Sequence, residues 1–406
     1  MAHEINISRL LKNLETLSRF GRTDHGITRP SFSPADIAAR KWLLQEMTSA
    51  GIAARMDAAG NIFGRIGPEG PAVVAGSHLD TVPNGGMFDG ALGVMAALEC
   101  VRTIRENEIP VRWPIEVAAF SDEEGAFVSF LGSRAVTGAL KTDELADTAT
   151  NRPTSLREAM NAAGLSLEAV HNAHRAPEEI IAYLELHIEQ GPQLEARKIN
   201  IGLVEAIRGI ATFKLIFSGE AVHAGTAPVR LRKDALVGAA ALICQLSEYC
   251  YSLTGGVATA GEVIVSPGAS NVVPSRAEVV LDIRFSSQQV YEGMVADIKR
   301  MGREIAARKG LGFEIRRTSF DPPANAAPRI LDLLADTAKE MGYPYMIMDS
   351  GAAHDAQIMS TITEMGMIFI PSIGGKSHCP EEKTHWADVK TGADLLLAGL
   401  ILLANE

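Results

Sequence analysis

The sequence has no cluster of lysine and arginine: 38 basic residues stand against 49 acidic ones, a formal net charge of −11. Phosphate contacts need concentrated positive charge, so nucleic acid and anionic membrane are excluded as partners. Nor is there an apolar run able to cross a bilayer. The most apolar stretch, Leu395 to Ala404, is about half of the ~20 residues required, and the opening MAHEINISRL lacks the apolar centre of a signal peptide. Cysteine is scarce. Cys100, Cys244, Cys250 and Cys379 make neither a CxxC pair nor a dense framework, so disulfides are not expected and the thiols stay reduced. Internal repeats and low-complexity segments are missing, and the three Trp and fourteen Met mark no stripe beyond an ordinary core. Together these absences predict a soluble, cytoplasmic protein.

What is present is an enzyme-sized globular composition. The 406 residues, 47% hydrophobic and 21% charged, suffice for two to three domains at about 100 to 200 residues each. Ser33-Pro34 followed by Ile37, Leu44, Met47 and Gly51 reads as a capped helix with proline at its first position. Val73-Val74-Ala75, Ile115 to Phe120 and Ile180 to Leu186 are short apolar runs ending in polar residues, as buried parallel strands do, with helical segments between them. That alternation predicts an α/β domain whose ligands lie beyond the carboxyl ends of the strands. After about residue 208 the texture changes. Thr212 to Phe217 and Val279 to Phe285 alternate with period two beside two helical patterns, 233 to 252 and 287 to 309. This reads as a two-layer β-α-α-β module closed by Asp321-Pro322-Pro323, after which a buried strand (Met365 to Ile370) and a last helix from 387 resume the first texture. An inserted domain at 209–321 therefore interrupts a catalytic domain made of 1–208 and 322–406.

The three apolar strands of the first half each end in groups that ligate metals: Gly76-Ser77-His78-Leu79-Asp80, Ser121-Asp122-Glu123-Glu124-Gly125 and Leu186-His187-Ile188-Glu189-Gln190-Gly191. Phe88-Asp89-Gly90 and Ser377-His378-Cys379-Pro380-Glu381-Glu382 add two more groups. Any one of them alone reads better as a hydrogen-bonded structural histidine or a solvated acidic loop. Their joint placement, with His78, His187, His223, His354 and His378 all in Gly-, Ser- or acid-rich turns, points instead to one site. Imidazole plus carboxylate suits zinc, manganese or cobalt, whereas calcium and magnesium prefer oxygen alone. Asp80 is spaced to orient His78, and the two oxygens of Asp89 can bridge two ions about 3.5 to 4 Å apart. Of the neighbouring glutamates, one can bind metal while the other faces water as a general base. Cys379 beside His378 is not read as a nucleophile, because neighbours on an extended turn face apart.

The set His78-x-Asp80, Asp89, Glu123-Glu124, His187-Ile188-Glu189-Gln190-Gly191, His223-Ala224-Gly225 and Ser377-His378-x-Pro380-Glu381-Glu382 resembles the amidase, hydantoinase and carbamoylase family. This branch of the dinuclear aminoacylase and carboxypeptidase superfamily contains N-carbamoyl-L-amino-acid hydrolases, allantoate and ureidoglycolate amidohydrolases, and β-ureidopropionases. The resemblance runs in order along nearly the whole chain. His187 is its most telling residue, since peptidase relatives place an acid there. It implies a zinc-exopeptidase-like catalytic domain, a mixed and largely parallel sheet flanked by helices, with the 209–321 insertion as an α+β lid and dimerisation domain.

Carried over, the resemblance implies two divalent ions per subunit (zinc, or manganese or cobalt), one held by His78, Asp89 and His187, the other by Asp89, Glu124 and His378. Glu123 would be the base and Asp80 the orienting carboxylate. His223 matches the histidine that reaches over the active site of the other subunit of a homodimer and stabilises the oxyanion, while Asn271 and Arg284 match residues that grip the substrate carboxylate. Gln190 and His354 match pocket positions, and Ala353 stands where the family's turn has a second glycine, an added methyl that would reshape a pocket whose backbone approaches the ligand. Two of these have plain structural alternatives: Arg284 can pair with Asp282 on the same strand face, and His223 can cap its own turn. The implied activity is hydrolysis of the ureido or amide C–N bond of a small N-carbamoyl-L-amino acid, releasing amino acid, carbon dioxide and ammonia. Gly85-Gly86-Met87-Phe88-Asp89-Gly90 looks more like the carbamoylases than the allantoate enzymes. An allantoate or ureidoglycolate amidohydrolase has the same site; an aminopeptidase or aminoacylase is opposed by His187, and a catalytically inactive binding protein by the complete ligand set.

Overall fold

The computed structural model describes residues 3–145 and 154–406, which form two compact units. One lies within 1–205, 325–350 and 354–406, the other is 206–324 with the turn 351–353. The second unit is wider by three residues at each side than the insertion expected at 209–321, and it claims the turn that carries Ala353.

The first unit is organised on a nine-stranded sheet. Its centre is four mutually parallel strands in the spatial order Glu364–Ile370, Ile180–Ile188, Ala72–His78, Ile115–Phe120. Every residue of the last two is buried, which is why these segments read as largely apolar runs, with buried Glu116 paired to Arg65 and Arg175. Ile62–Ile66 and Ala53–Met56 extend one side antiparallel, and Ile201–Ile207 pairs antiparallel on the other. The helix Ala91–Glu106 is buried from Ala91 to Ile104 and packs on the central strands. Gly93 permits that approach, because a Cβ there would stand 2.6 Å from the Leu186 carbonyl. The helices Ile7–Leu17 and Trp386–Leu403 close over it, and Leu10, Leu14, Leu396 and Leu400 complete the core. Pro34–Ser49 is the helix expected from its cap: the Ser33 side chain accepts the Asp36 N–H and Pro34 takes the first turn. All four parallel strands run toward one edge of the sheet, so the segments that follow them meet there.

The second unit is a four-stranded antiparallel sheet in the order Gly256–Ser266, Arg276–Phe285, Gly209–Ser218, Gly312–Asp321. Ala211, Phe213, Leu215 and Phe217 with Val279, Leu281, Ile283 and Phe285 form its inner face, covered by the helices Ala235–Ser252 and Gln288–Lys309 through Leu242, Met294, Ile298 and Ile305. The expected β-α-α-β module is therefore incomplete. Two outer strands, 256–266 and 312–321, were not apparent in the sequence because edge positions that face solvent need no apolar alternation. Among the described residues no helix is long and apolar enough to cross a membrane.

Candidate metal centre

His78 is the last residue of its strand and His187 the last but one of the neighbouring strand, and both rings are buried. Each ring is anchored through Nδ1 on a backbone carbonyl, that of Asp80 for His78 (3.0 Å) and that of Ile188 for His187 (2.9 Å). An Nδ1–H bonded in this way leaves Nε2 as the nitrogen directed into the site. Asp80 does not orient His78 with its carboxylate, as the sequence suggested; that oxygen is 3.8 Å from Nδ1. The carboxylate instead accepts the backbone N–H groups of Glu123 (3.4 Å) and Glu124 (3.2 Å), so it fixes the turn that presents the paired glutamates. Gly90, at φ +62°, opens the helix that follows Asp89, and a side chain there would collide with the His78 ring.

Asp89 lies between the histidines. Its Oδ1 faces Nε2 of His187 at 3.1 Å and of His78 at 3.8 Å, while its Oδ2 faces Nε2 of His378 at 3.1 Å. Each oxygen thus serves a different set. His78, Asp89 and His187 bring ligand atoms within 4.8 Å of one another, and so do Asp89, Glu124 and His378, and His78, Glu123 and Glu124. Glu123 Oε2 is 3.6 Å from His78 Nε2, and Glu124 Oε1, 3.6 Å from His378 Nε2, is buried without a hydrogen-bond partner.

The charge balance of this cluster calls for a cation. Burial and the neighbouring carboxylates hold the Glu123 carboxyl well above the usual range, and burial with the charge of Asp89 pushes Glu124 up to about 8. Burial pushes His78 down to about 4. Burial would also depress His187, yet its hydrogen bond to Asp89 and the charges of Asp89 and Glu185 raise it to about 9. The hydrogen bond to Asp89 likewise raises half-exposed His378 to about 9. A nitrogen lone pair and a carboxylate oxygen approach this closely only with a positive centre between them, a proton or a metal ion. The mixed imidazole and carboxylate donors, with the orphaned Glu124 oxygen, fit a borderline divalent ion such as zinc, manganese or cobalt.

The backbone is bent to make this arrangement. Asp122, Gln190 and His378 all have φ near +55° (55°, 56° and 56°), a left-handed conformation uncommon outside glycine. Asp122 is held in it by the N–H groups of Phe127 (2.9 Å) and Val128 (2.7 Å) on its carboxylate. Gln190 donates from Nε2 to Asp89 Oδ2 (3.1 Å) and from its backbone N–H to the Ser372 hydroxyl oxygen (3.0 Å). His354 packs edge-on against His187 with 4.6 Å between ring centroids, and Ser350 Oγ lies 3.0 Å from its Nε2.

The other expected residues belong to the second unit. His223 and Asn271 sit on turns stitched together by a β-bridge between His223 and Val272 and by the Ala224 N–H on the Asn271 carbonyl (2.9 Å). His223 is exposed, and its Nδ1 accepts the Gly225 N–H at 3.1 Å, so it does cap its own turn. Arg284 makes a two-pronged pair with Asp282 (2.8 and 3.2 Å), the structural alternative raised above, and its Nη1 also reaches the Gly351 carbonyl at 3.4 Å. That contact brings it to the turn of Ala353.

Two residues have work that the sequence did not reveal. Glu382, quoted only as part of a motif, accepts the N–H groups of Phe88 (2.9 Å) and Asp89 (3.1 Å) and the Ser377 hydroxyl (3.0 Å), so it carries the Asp89 loop. Glu189 turns away from the cluster and caps the helix Gln193–Arg197 through the N–H groups of Gln193 and Leu194. A glutamate among other acids gives no advance sign of which backbone it will hold.

Comparison with known proteins places the chain in a family. Residues 74–401 match the model of peptidase family M20/M25/M40. The chain is 38% identical over 395 residues to the N-carbamoyl-L-amino-acid amidohydrolase of Paenarthrobacter aurescens, covering 96% of each, and 33% identical over 398 residues to the allantoate amidohydrolase of Bacillus subtilis strain 168, again 96% of each. A crystal structure of an amidase of the hydantoinase/carbamoylase family from Burkholderia multivorans superposes with a TM-score of 0.91 at 29% identity, covering 100% of both chains.

Proposed function

The chain belongs to peptidase family M20/M25/M40, and from that membership we propose that it is a metal-dependent amidohydrolase that cleaves the ureido C–N bond of an N-carbamoyl-L-amino acid. It is a hydrolase of non-peptide C–N bonds, as its amidohydrolase relatives are. The observation that carries the reading is Asp89, whose two oxygens serve two separate histidine sets. Two divalent ions fit, one in His78, Asp89 and His187, the other in Asp89, Glu124 and His378. Ions held there would supply Lewis acidity, polarising the ureido carbonyl and making water a better nucleophile.

Glu123 does the proton work. Its carboxylate is next to both ligand sets yet is needed by neither, so it can take the proton of the attacking water and return it to the leaving nitrogen. Asp80 holds the Glu123–Glu124 turn rigid while this happens. Gln190 and His354 border the histidines and orient the ureido group, and His223 contributes a donor to the developing oxyanion from the other subunit of a homodimer. A second copy is suggested by the outermost strand Gly256–Ser266, where Val263 and Ile264 are exposed, and by exposed Leu236 and Val237 on the helix Ala235–Ser252. Sedimentation should find a dimer, and a monomer fully active at nanomolar concentration would remove His223 from the mechanism. With all four cysteines free, we assign the enzyme to the cytoplasm.

Arg284 and Asn271 would bind the substrate carboxylate. The guanidinium is already oriented by Asp282 and keeps further donors for a planar, two-pronged partner. The test is ammonia release from N-carbamoyl-L-amino acids, their esters, allantoate and ureidoglycolate. N-carbamoyl-L-amino acids should be preferred, and preference for allantoate would make the chain an allantoate amidohydrolase with the same centre. Esterifying the carboxylate should lower kcat/KM by about as much as Arg284→Ala, and combining the two should add little, because both delete one interaction. Arg284→Lys keeps the charge but loses the fork and should stay impaired. Strictly additive losses would leave Arg284 with its Asp282 pair alone.

A further inference from the structure

One buried carboxylate beside the histidines has no part in the chemistry above. Glu185 is completely buried and shares the strand face of Tyr183 and His187. Its two oxygens are surrounded by donors. Ser77 Oγ donates to Oε1 at 2.6 Å, the Ala356 N–H donates to Oε2 at 3.0 Å, and the Tyr183 hydroxyl lies 3.2 Å from Oε2 while also reaching the Gly76 carbonyl at 3.0 Å. Taking a carboxylate out of water is costly, and two full donors with the shared Tyr183 hydroxyl are what offset it. The identity of those donors is informative. Ser77 immediately precedes His78, and Ala356 follows His354 by two residues at the start of the helix Asp355–Met359. Glu185 itself precedes His187 by two. A single carboxylate therefore ties together the three backbone segments on which His78, His187 and His354 are mounted.

Glu185 could be mistaken for a ligand, since its oxygens come within 4.8 Å of nitrogens of His187 and His354. Both of its oxygens already accept, Oε1 from Ser77 and Oε2 from Ala356 with the Tyr183 hydroxyl shared between it and the Gly76 carbonyl, however, and His78, Asp89 and His187 form a ligand set without it. We infer that Glu185 is a positioning residue, a clamp that locks the strand carrying His187 to the strand carrying His78 and to the helix carrying His354, and so sets how tightly the buried triad grips its ion. Imidazoles on strand ends point where their backbone points. A shift of one strand against the other would spread Nε2 of His78 from Nε2 of His187, and groups that orient ligands in this way typically account for about 10- to 100-fold in metal affinity. This inference rests on the two-ion reading above.

The test is zinc retention against a competing chelator, read by elemental analysis, for the wild type and for Glu185→Ala, Glu185→Gln and Ser77→Ala, with circular dichroism to establish folding and kcat and KM measured alongside. The wild type should hold two equivalents. Glu185→Ala should release one of the two roughly 10- to 100-fold more readily, with kcat reduced, KM little changed and activity recovered in excess zinc. Glu185→Gln should restore retention to within a few-fold, because its carbonyl can take the Ala356 N–H while Ser77 turns its hydroxyl to accept from the amide. Ser77→Ala, which removes one clamp contact and adds no bulk to the strand, should shift retention in the same direction by less, and it decides the matter if Glu185→Ala does not fold. Wild-type zinc retention in Glu185→Ala or, should that variant not fold, in Ser77→Ala overturns the inference. So does a Glu185→Gln as leaky as Glu185→Ala, which would assign the effect to charge. A wild type that takes up neither zinc, manganese nor cobalt would instead overturn the proposed function.

Discussion

Glu123→Gln should keep its metal and its fold and lose roughly 10²- to 10⁴-fold in kcat, the usual contribution of a positioned general base. The amide is nearly the same shape, and it can still sit beside His78 Nε2, where the carboxylate oxygen now lies at 3.6 Å. It cannot accept the proton of the attacking water. Glu124→Gln should behave differently. Its Oε1 faces His378 and has no other partner, so the loss should appear first as weaker metal retention and be partly recovered by added metal. Measuring kcat and bound metal on both variants separates the roles. Exchanged phenotypes would mean that the two glutamates divide the work the other way.

Stripping the enzyme with a chelator should remove activity by roughly a thousandfold or more, since several kcal/mol of transition-state stabilisation are at stake, and zinc, manganese or cobalt should restore it. Full activity in protein that elemental analysis finds free of metal would sink the mechanism. The stripped protein should also carry a pH signature. Glu124, raised to about 8, keeps its proton in the folded state at a pH where the unfolded chain has lost it, so this contribution to stability declines as pH rises toward 8. His187 and His378, raised from 6.5 to about 9, contribute stability that is fully present below about 6.5 and lost as pH climbs through 9. All three act in the same direction from about pH 6.5 to 8 and the two histidines continue to about 9, so the melting temperature of stripped enzyme should fall across that window. Ions replace the protons, so metal loading should release protons and remove most of the slope.

The parts of this molecule that could be read from sequence are those where burial imposes a pattern. The strands Ala72–His78, Ile115–Phe120 and Ile180–Ile188 are covered on both faces, so their apolar runs stand out, and the ligands stand out because they follow directly. The exposed edge strand Gly256–Ser266 has no such constraint, and its mixture of Gly, Ala, Thr and Val carries no steady apolar alternation. The helix Ile7–Leu17 does carry a local signature, with Leu10, Leu14 and Leu17 on one face and the Asn6 side chain as its cap. Asp80 was recognised as a supporting group but given the wrong object, because residue spacing alone does not distinguish its carbonyl, which takes the His78 hydrogen, from its carboxylate, which takes the Glu123 and Glu124 amides. Glu185 lay inside an apolar run and looked like an interruption of it. Hydrogen bonds between residues about a hundred apart, such as Ser77 to Glu185, have no local signature.

The strand order also constrains how the protein is made. Glu364–Ile370 lies between Ile180–Ile188 and Ile201–Ile207, in the interior of the sheet, although it is synthesised more than 150 residues after either. A nascent chain that has emerged only through the second unit holds Ile180–Ile188 with one side unpaired, a long apolar template for pairing with another chain. The insertion that separates these neighbours therefore sets a delay, during which translation rate and chaperone cover govern whether the edge is filled by its own strand. His378 follows that strand by eight residues, so the second ligand set cannot assemble on the ribosome before the last gap in the sheet has been closed.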